Sequence, residues 1–158
     1  MAENNFKKCE APIGDAELDA LADMAGYPLP ADFRAHYQKR NGGVPERAWW
    51  DSLDEFPPCM VNEFYAVAKG RRTVESLLRK LRDKKLVPDH LLPFAVGQHA
   101  NQYFCLDLKS GAVVHYLPDS FQPEREPEEN YRKAQRKLSR SFNEFVKGLV
   151  GSDEIDAF

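Results

Sequence analysis

The chain has no apolar run that approaches the roughly 20 residues a membrane-spanning helix needs. Its first residues, Met1-Ala2-Glu3-Asn4-Asn5, lack the basic and then apolar stretch of a signal region, so the expectation is a cytoplasmic protein with no membrane association. Cysteine is scarce. Cys9, Cys59 and Cys105 form no CxxC pair, and an odd number cannot all pair within one chain, which points to reduced thiols with Cys105 packed in a strand. Of the histidines, His36, His90, His99 and His115, none is spaced as HExxH or as the zinc-deaminase arrangement. A metal site would have to gather ligands from separate elements, for example His99, His115 and Asp107, and the simpler reading is histidines of surface loops or strands. The Gly-x-Ser-x-Gly elbow, the Walker loop and the dinucleotide fingerprint are missing too. A cysteine nucleophile needs a nearby base and an electropositive, open setting. Cys105 lies mid-strand, and Cys9 and Cys59 have no histidine close in sequence. The sequence therefore predicts no metal, no cofactor and no catalytic residue.

What is present fits one folded unit. A chain of 158 residues buries roughly 70% of its unfolded surface on folding. Apolar residues at 42% and charged residues at 30% are ordinary for a globular protein and argue against a disordered chain. The net charge of −3 hides a division. Glu10 to Asp32 carries Glu10, Asp15, Glu17, Asp19, Asp23 and Asp32 with no Lys or Arg. Lys69 to Lys85 carries eight bases against Glu75 and Asp83. Such opposed patches either steer a charged partner or are solvated faces. The basic stretch Arg71 to Lys85 offers phosphate contacts, but an isoelectric point near 5.8 and the lack of a groove-reading motif argue against nucleic acid as a partner.

Helices announce themselves by period and by caps. Gly14 sits where an N-cap belongs, Glu17 is placed to reach back to it, and Ile13 with Leu18 suits a hydrophobic staple. Leu18, Leu21, Ala22 and Ala25 make one apolar stripe, and Gly26 ends it. Pro30 fits the first position of a second helix, with Phe33 and Tyr37 on one face, and the Asn41-Gly42-Gly43 run offers a left-handed residue to end it. His36 is expected either tipped toward solvent or hydrogen-bonded at the core edge. Arg72 or Thr73 opens the clearest helix, since Val74, Leu77, Leu78 and Leu81 fall at i, i+3, i+4 and i+7. Ser141 with Glu144 reads as a capping box ahead of Phe142, Phe145, Val146 and Leu149. Residues 130–140 are predicted helical and basic on one side.

Strands are expected at residues 61–67, 92–96, 102–108 and 112–117, the last two joined by a Lys109-Ser110-Gly111 turn. Asn101 suits a tight turn, and Asp107 suits hydrogen bonds to backbone. The predicted fold is a single α+β domain. Its sheet is largely antiparallel or mixed, with an N-terminal helix pair, a central helix and a C-terminal helix packed on it. Residues 1–12 are expected as a flexible arm, 13–150 as the domain and 151–158 as an acidic tail.

The segment Leu29-Pro30-Ala31-Asp32-Phe33 to Asn41-Gly42-Gly43, the Leu92-Pro93-Phe94-Ala95 strand, and the run from Asn101 through Cys105-Leu106-Asp107 to Gly111 resemble, in order and spacing, the SUKH superfamily, the Smi–Knr-type domain. The resemblance spans residues 13 to 149. It departs from the family at Gly14, where Ser or Thr is usual, at His36, where a large apolar residue is usual, and at Gly97-Gln98-His99-Ala100, where most of a Gly run is lost. For a bacterial member it implies an immunity protein that neutralises a toxin, often a nuclease, by stoichiometric occlusion. For a eukaryotic member it implies a regulatory scaffold of cell-wall signalling. A small hydrolase and a nucleic-acid binder are the alternatives outside that family reading.

The remaining odd feature is a Pro- and aromatic-rich loop, residues 43–60. It holds Trp49, Trp50, Phe56, Pro57 and Pro58. Neighbours in an extended segment point to opposite sides, so one tryptophan can pack inward while the other faces out. Either both rings pin the loop to the core, or the loop presents aromatic anchors to a partner. Trp49, Trp50 and Phe56, with attraction from Asp19 and Asp23, are the predicted partner-binding residues.

Overall fold

The computed structural model describes residues 3–52 and 56–155. Helices α1 (Asp15–Ala25) and α2 (Ala31–Lys39) follow a short strand β1 (Phe6–Lys7). Then come β2 (Val44–Pro45), β3 (Trp49–Trp50), β4 (Cys59–Phe64), α3 (Val74–Asp83), β5 (Leu91–Gly97), β6 (Tyr103–Asp107), β7 (Val113–Tyr116), α4 (Pro127–Lys133), β8 (Gln135–Ser139) and α5 (Phe142–Gly148). Strands β3 to β8 form an antiparallel sheet of six strands in sequence order, and β1 and β2 pair separately. The chain is thus a single α+β domain, as the sequence predicts.

Alternation along the strands divides the core. Phe94, Phe104, Leu106 and Val113 join Leu18, Leu21, Phe33, Tyr37, Phe142 and Phe145 on one face, which α1, α2 and α5 cover. Leu91, Tyr103, Cys105, Val114 and Tyr116 join Leu77 and Leu81 of α3 on the other. Pro93 lies inside an interior strand, where a missing N–H is normally excluded. The β5–β6 register shifts between Pro93 and Ala95, and this bulge is the place where a strand tolerates proline.

The caps largely follow the sequence. The Gly14 N–H donates to Glu17 Oε1 at 2.7 Å, and Gly26 ends α1 at φ 87°. Thr73 Oγ1 accepts the Ser76 amide, and Ser141 Oγ accepts that of Glu144. Arg82, one of the bases in the charged run, helps hold the fold. Its guanidinium donates to the Met24 and Ala25 carbonyls at 2.9 and 2.7 Å, at the end of α1. Those are carbonyls with no partner inside the helix, and a cation also suits the negative end of the dipole.

Several expectations are corrected. Pro30 stands just outside α2, and α2 ends at an extended Arg40 rather than at a left-handed glycine. Gly42 (φ 75°) and Gly43 (φ 110°) do adopt the left-handed region, but they serve close backbone approach. A Cβ on Gly42 would stand 2.9 Å from the Ala66 backbone, and one on Gly43 would stand 2.7 Å from the Lys7 carbonyl oxygen. Residues 3–10 are not a loose arm. The Asn4 side chain donates to the Arg47 carbonyl and accepts the Arg47 amide, Phe6 pairs with Pro45, and the Glu10 amide donates to the Asn41 carbonyl. The polar composition of this segment concealed its backbone pairing. Of the region 130–140 only residues 130–133 are helical, as the end of α4; residues 135–139 form β8, an edge strand whose charged side chains suit an edge. Of the acidic tail, Ser152–Glu154 makes a short 3-10 turn, and residues 156–158 lie outside the described residues.

Candidate functional site: the mouth of the curled sheet

Strands β3 and β8 are opposite edges of the sheet, yet Arg136 of β8 donates from Nη2 to Ser52 Oγ, just after β3, at 3.1 Å. Trp50 Nε1 donates to the same hydroxyl at 2.9 Å. The sheet must therefore curl until its edges approach, a limit of the twist that all sheets carry. At one end the curl leaves a mouth of about 470 Å3.

The wall on the β4 side is Phe56, Pro57, Pro58, Cys59 and Met60, so Cys59 shares the cavity with His99 and His115, and the turn between β5 and β6 contributes Gln98, His99 and Gln102. Asn101 shapes that turn at φ 60°, and its Nδ2 donates to Asp119 at 3.1 Å. Phe56 is 48% exposed, and the Arg136 guanidinium lies over its ring at 4.6 Å. Such a cation–π contact holds an apolar ring at the surface.

His115 lines the mouth from β7. It is only 6% exposed and stacks on Phe104 with centroids 5.0 Å apart. Burial, with the nearby Arg136 charge, pushes its pKa down to about 4, so the ring is neutral at physiological pH. Its Nε2 is shielded from solvent and has no hydrogen-bond partner among the described residues. A buried polar atom without a partner is rare, and a group that enters the mouth can supply the missing hydrogen bond.

The predicted site residues are only partly brought together. Phe56 stands at the mouth. Trp50 is the inward tryptophan: its ring stacks on Phe145 at 5.4 Å and presses on Gly148, where a Cβ would lie 2.6 Å from the indole. Trp49 is half-buried and joined to Val150 through both backbone groups. Asp19 and Asp23 lie on α1, which contributes nothing to the mouth, and Asp19 is paired with Arg34 at 2.8 Å. Of the candidate ligand set, His99 and His115 share the mouth, whereas Asp107 accepts the Lys109 and Ser110 amides in the β6–β7 turn that Gly111 closes at φ 85°. Among the described residues no cluster of three or more His, Cys, Asp or Glu side chains could hold a metal ion. His115 and Arg136 are the residues that sequence reasoning missed as a pair. Their partnership exists because β8 is a strand that sets Arg136 opposite His115 of β7.

His36 is half-buried, and among the described residues its Nε2 makes no hydrogen bond. It sits among Phe6, Phe64 and Phe142, with centroids 5.1, 5.9 and 5.2 Å away. Burial pushes its pKa down to about 4. An aromatic box thus surrounds the imidazole.

The model of the SMI1/KNR4 family (SUKH-1) matches residues 12–148. The chain belongs to that family. The matched range takes in α1 through α5, and so includes every strand and loop that builds the mouth. No curated protein matches the chain. Among the described residues no helix is long and apolar enough to cross a membrane.

Proposed function

We propose that this SUKH-1 protein is a non-catalytic binding module of the cytoplasm that neutralises a delivered toxin by stoichiometric occlusion. The observation that carries the reading is Phe56. Among the described residues it is the exposed large hydrophobic side chain, and it lines a concave mouth together with the buried His115 imidazole, whose Nε2 has no partner among those residues. Binding interfaces concentrate their energy in a few aromatic and arginine anchors around such pockets, and Phe56 with Arg136 is a pair of that kind. The mouth is poorly suited to acid–base chemistry. An imidazole that titrates near pH 4 is a weak base at neutral pH. The acidic face of α1 adds long-range attraction if the toxin is a basic nuclease, with Asp23 exposed and Asp19 partly engaged by Arg34.

The test is protection from a co-expressed toxin domain encoded beside this gene. The parent chain should restore growth, and Phe56→Ala with Arg136→Ala should lose protection while keeping the parent's circular dichroism. Protection that survives both changes would remove the mouth from the interface.

A further inference from the structure

A second and larger cleft, of about 730 Å3, opens between α2, α5 and the N-terminal segment. It shares no residue with the mouth. Its lining includes Lys39, Arg40, Arg47 and Lys147, together with Glu3 and Asp32. Even without Arg47, Lys39, Arg40 and Lys147 outnumber the two carboxylates in a chain whose net charge is −3. Asp32 does not offset that surplus freely, because its two oxygens accept the Phe33 and Asn143 amides at 2.9 Å each. Lys147 has no ionic partner among the described residues. Ala35, Val146 and the His36 ring supply the apolar part of the lining, and His36 Nε2 lacks a partner among the described residues.

Glu3 shows what this cleft accepts. Lys39 Nζ reaches both of its carboxylate oxygens, at 2.9 and 2.8 Å, and Arg40 Nη2 reaches Oε2 at 2.8 Å. Two cations converging on one carboxylate make a short, charge-assisted receptor. Its present occupant is loosely committed: the Glu3 side chain is 65% exposed, and exposed ion pairs are individually weak. A single carboxylate also fills little of such a volume and leaves Lys147 and the apolar lining unused.

We propose that this cleft is a docking site for an acidic peptide segment of a partner protein, with an apolar side chain among its carboxylates, and that Glu3 holds the place of one of those carboxylates in the free chain. The apolar side chain lies against Ala35, Val146 and His36. Its flanking carboxylates meet Lys39 and Arg40 on one element and Lys147 on another. The N-terminal segment gives up only the Glu3 contact, since Asn4 stays anchored on Arg47.

The test uses the full chain, isotopically labelled and titrated with the acetylated peptide Asp-Glu-Phe-Asp-Glu while the His36 ring and the Lys39 and Lys147 amides are followed by NMR. The uncharged peptide Asn-Gln-Phe-Asn-Gln and inorganic phosphate serve as comparisons. Glu3→Gln should tighten peptide binding at least about threefold by removing the competitor, and Lys39→Glu with Lys147→Glu should weaken it at least about tenfold at unchanged thermal midpoint. Unchanged affinity in Glu3→Gln, or equal shifts from the uncharged peptide, would overturn the proposal. Shifts from phosphate alone would overturn it in favour of a general anion site. None of these outcomes depends on the toxin, so the reading of the mouth stands or falls separately.

Discussion

Asn41 and Val67 are joined through both ends of one side-chain amide: Oδ1 accepts the Val67 N–H at 2.7 Å, and Nδ2 donates to the Val67 carbonyl at 3.0 Å. The same Nδ2 donates to the Ala11 carbonyl at 2.9 Å, and Asn41 is 2% exposed. One side chain thus ties the N-terminal segment to the end of α2 and to the chain leaving β4. Asn41→Ala leaves buried backbone groups unpaired and should cost on the order of 3 kcal/mol. Asn41→Asp keeps an acceptor for the Val67 amide but sets a carboxylate against two carbonyls, and should cost at least as much. Denaturant midpoints at constant slope are the measurement.

The neighbouring glycines separate strain from crowding. Gly42→Ala and Gly43→Ala combine positive φ with backbone contacts under 3 Å and should each destabilise by more than about 2 kcal/mol. Gly111→Ala has the same sign of φ, but its nearest atom is 4.0 Å away, and it should cost about 1 kcal/mol. Equal effects at the three positions would show that crowding at the Gly42 and Gly43 sites relaxes at little cost.

The inward tryptophan and Phe56 should part company when truncated. Trp50→Ala empties the space against Phe145 and should destabilise the fold by about 2 kcal/mol or more. Phe56→Ala, at an exposed position, should change stability by less than about 0.5 kcal/mol. Thermal melts of the two variants, side by side, make the comparison.

The sequence made much of this fold legible, because caps and apolar periods are local. Leu18, Leu21 and Ala25, the Thr73 cap and the Gly111 turn all stand where spacing places them. What it concealed depends on distant partners. Nothing local in Gln135-Arg136-Lys137 marks a strand; β7 supplies the ladder that makes it one. The loop aromatics were visible as candidates. Which of them faces the core is decided by Phe145 and Gly148, about a hundred residues further on. His115 reads as one histidine among several until Phe104 stacks on it and the curl of the sheet shields its Nε2.

Stability should fall between neutral and mildly acidic pH because of two desolvated histidines, His115 buried and His36 half-buried. Both His36 and His115 have folded pKa values near 4, below the unfolded value of about 6.5. The unfolded chain therefore binds more protons in that window, and stability present above pH 6.5 is lost as pH falls toward 4. Each histidine should contribute on the order of 2 kcal/mol to the loss. Glu3, whose carboxyl its two cations hold down to about 2, acts at lower pH, so urea titrations at pH 7 and pH 5 isolate the histidines. His36→Leu and His115→Phe should each flatten the pH dependence, and a flat profile in the parent would contradict the assignment.

Stoichiometric occlusion is tested most directly by titration calorimetry joined to an activity assay. The purified chain is titrated into the toxin domain encoded beside it. The expected result is one-to-one binding with Kd on the order of 1 nM, toxin activity that falls in proportion to occupancy, and an affinity at least about tenfold weaker for Phe56→Ala. Inactivation of many toxin molecules by one molecule of this protein, or no measurable heat of binding, would contradict it.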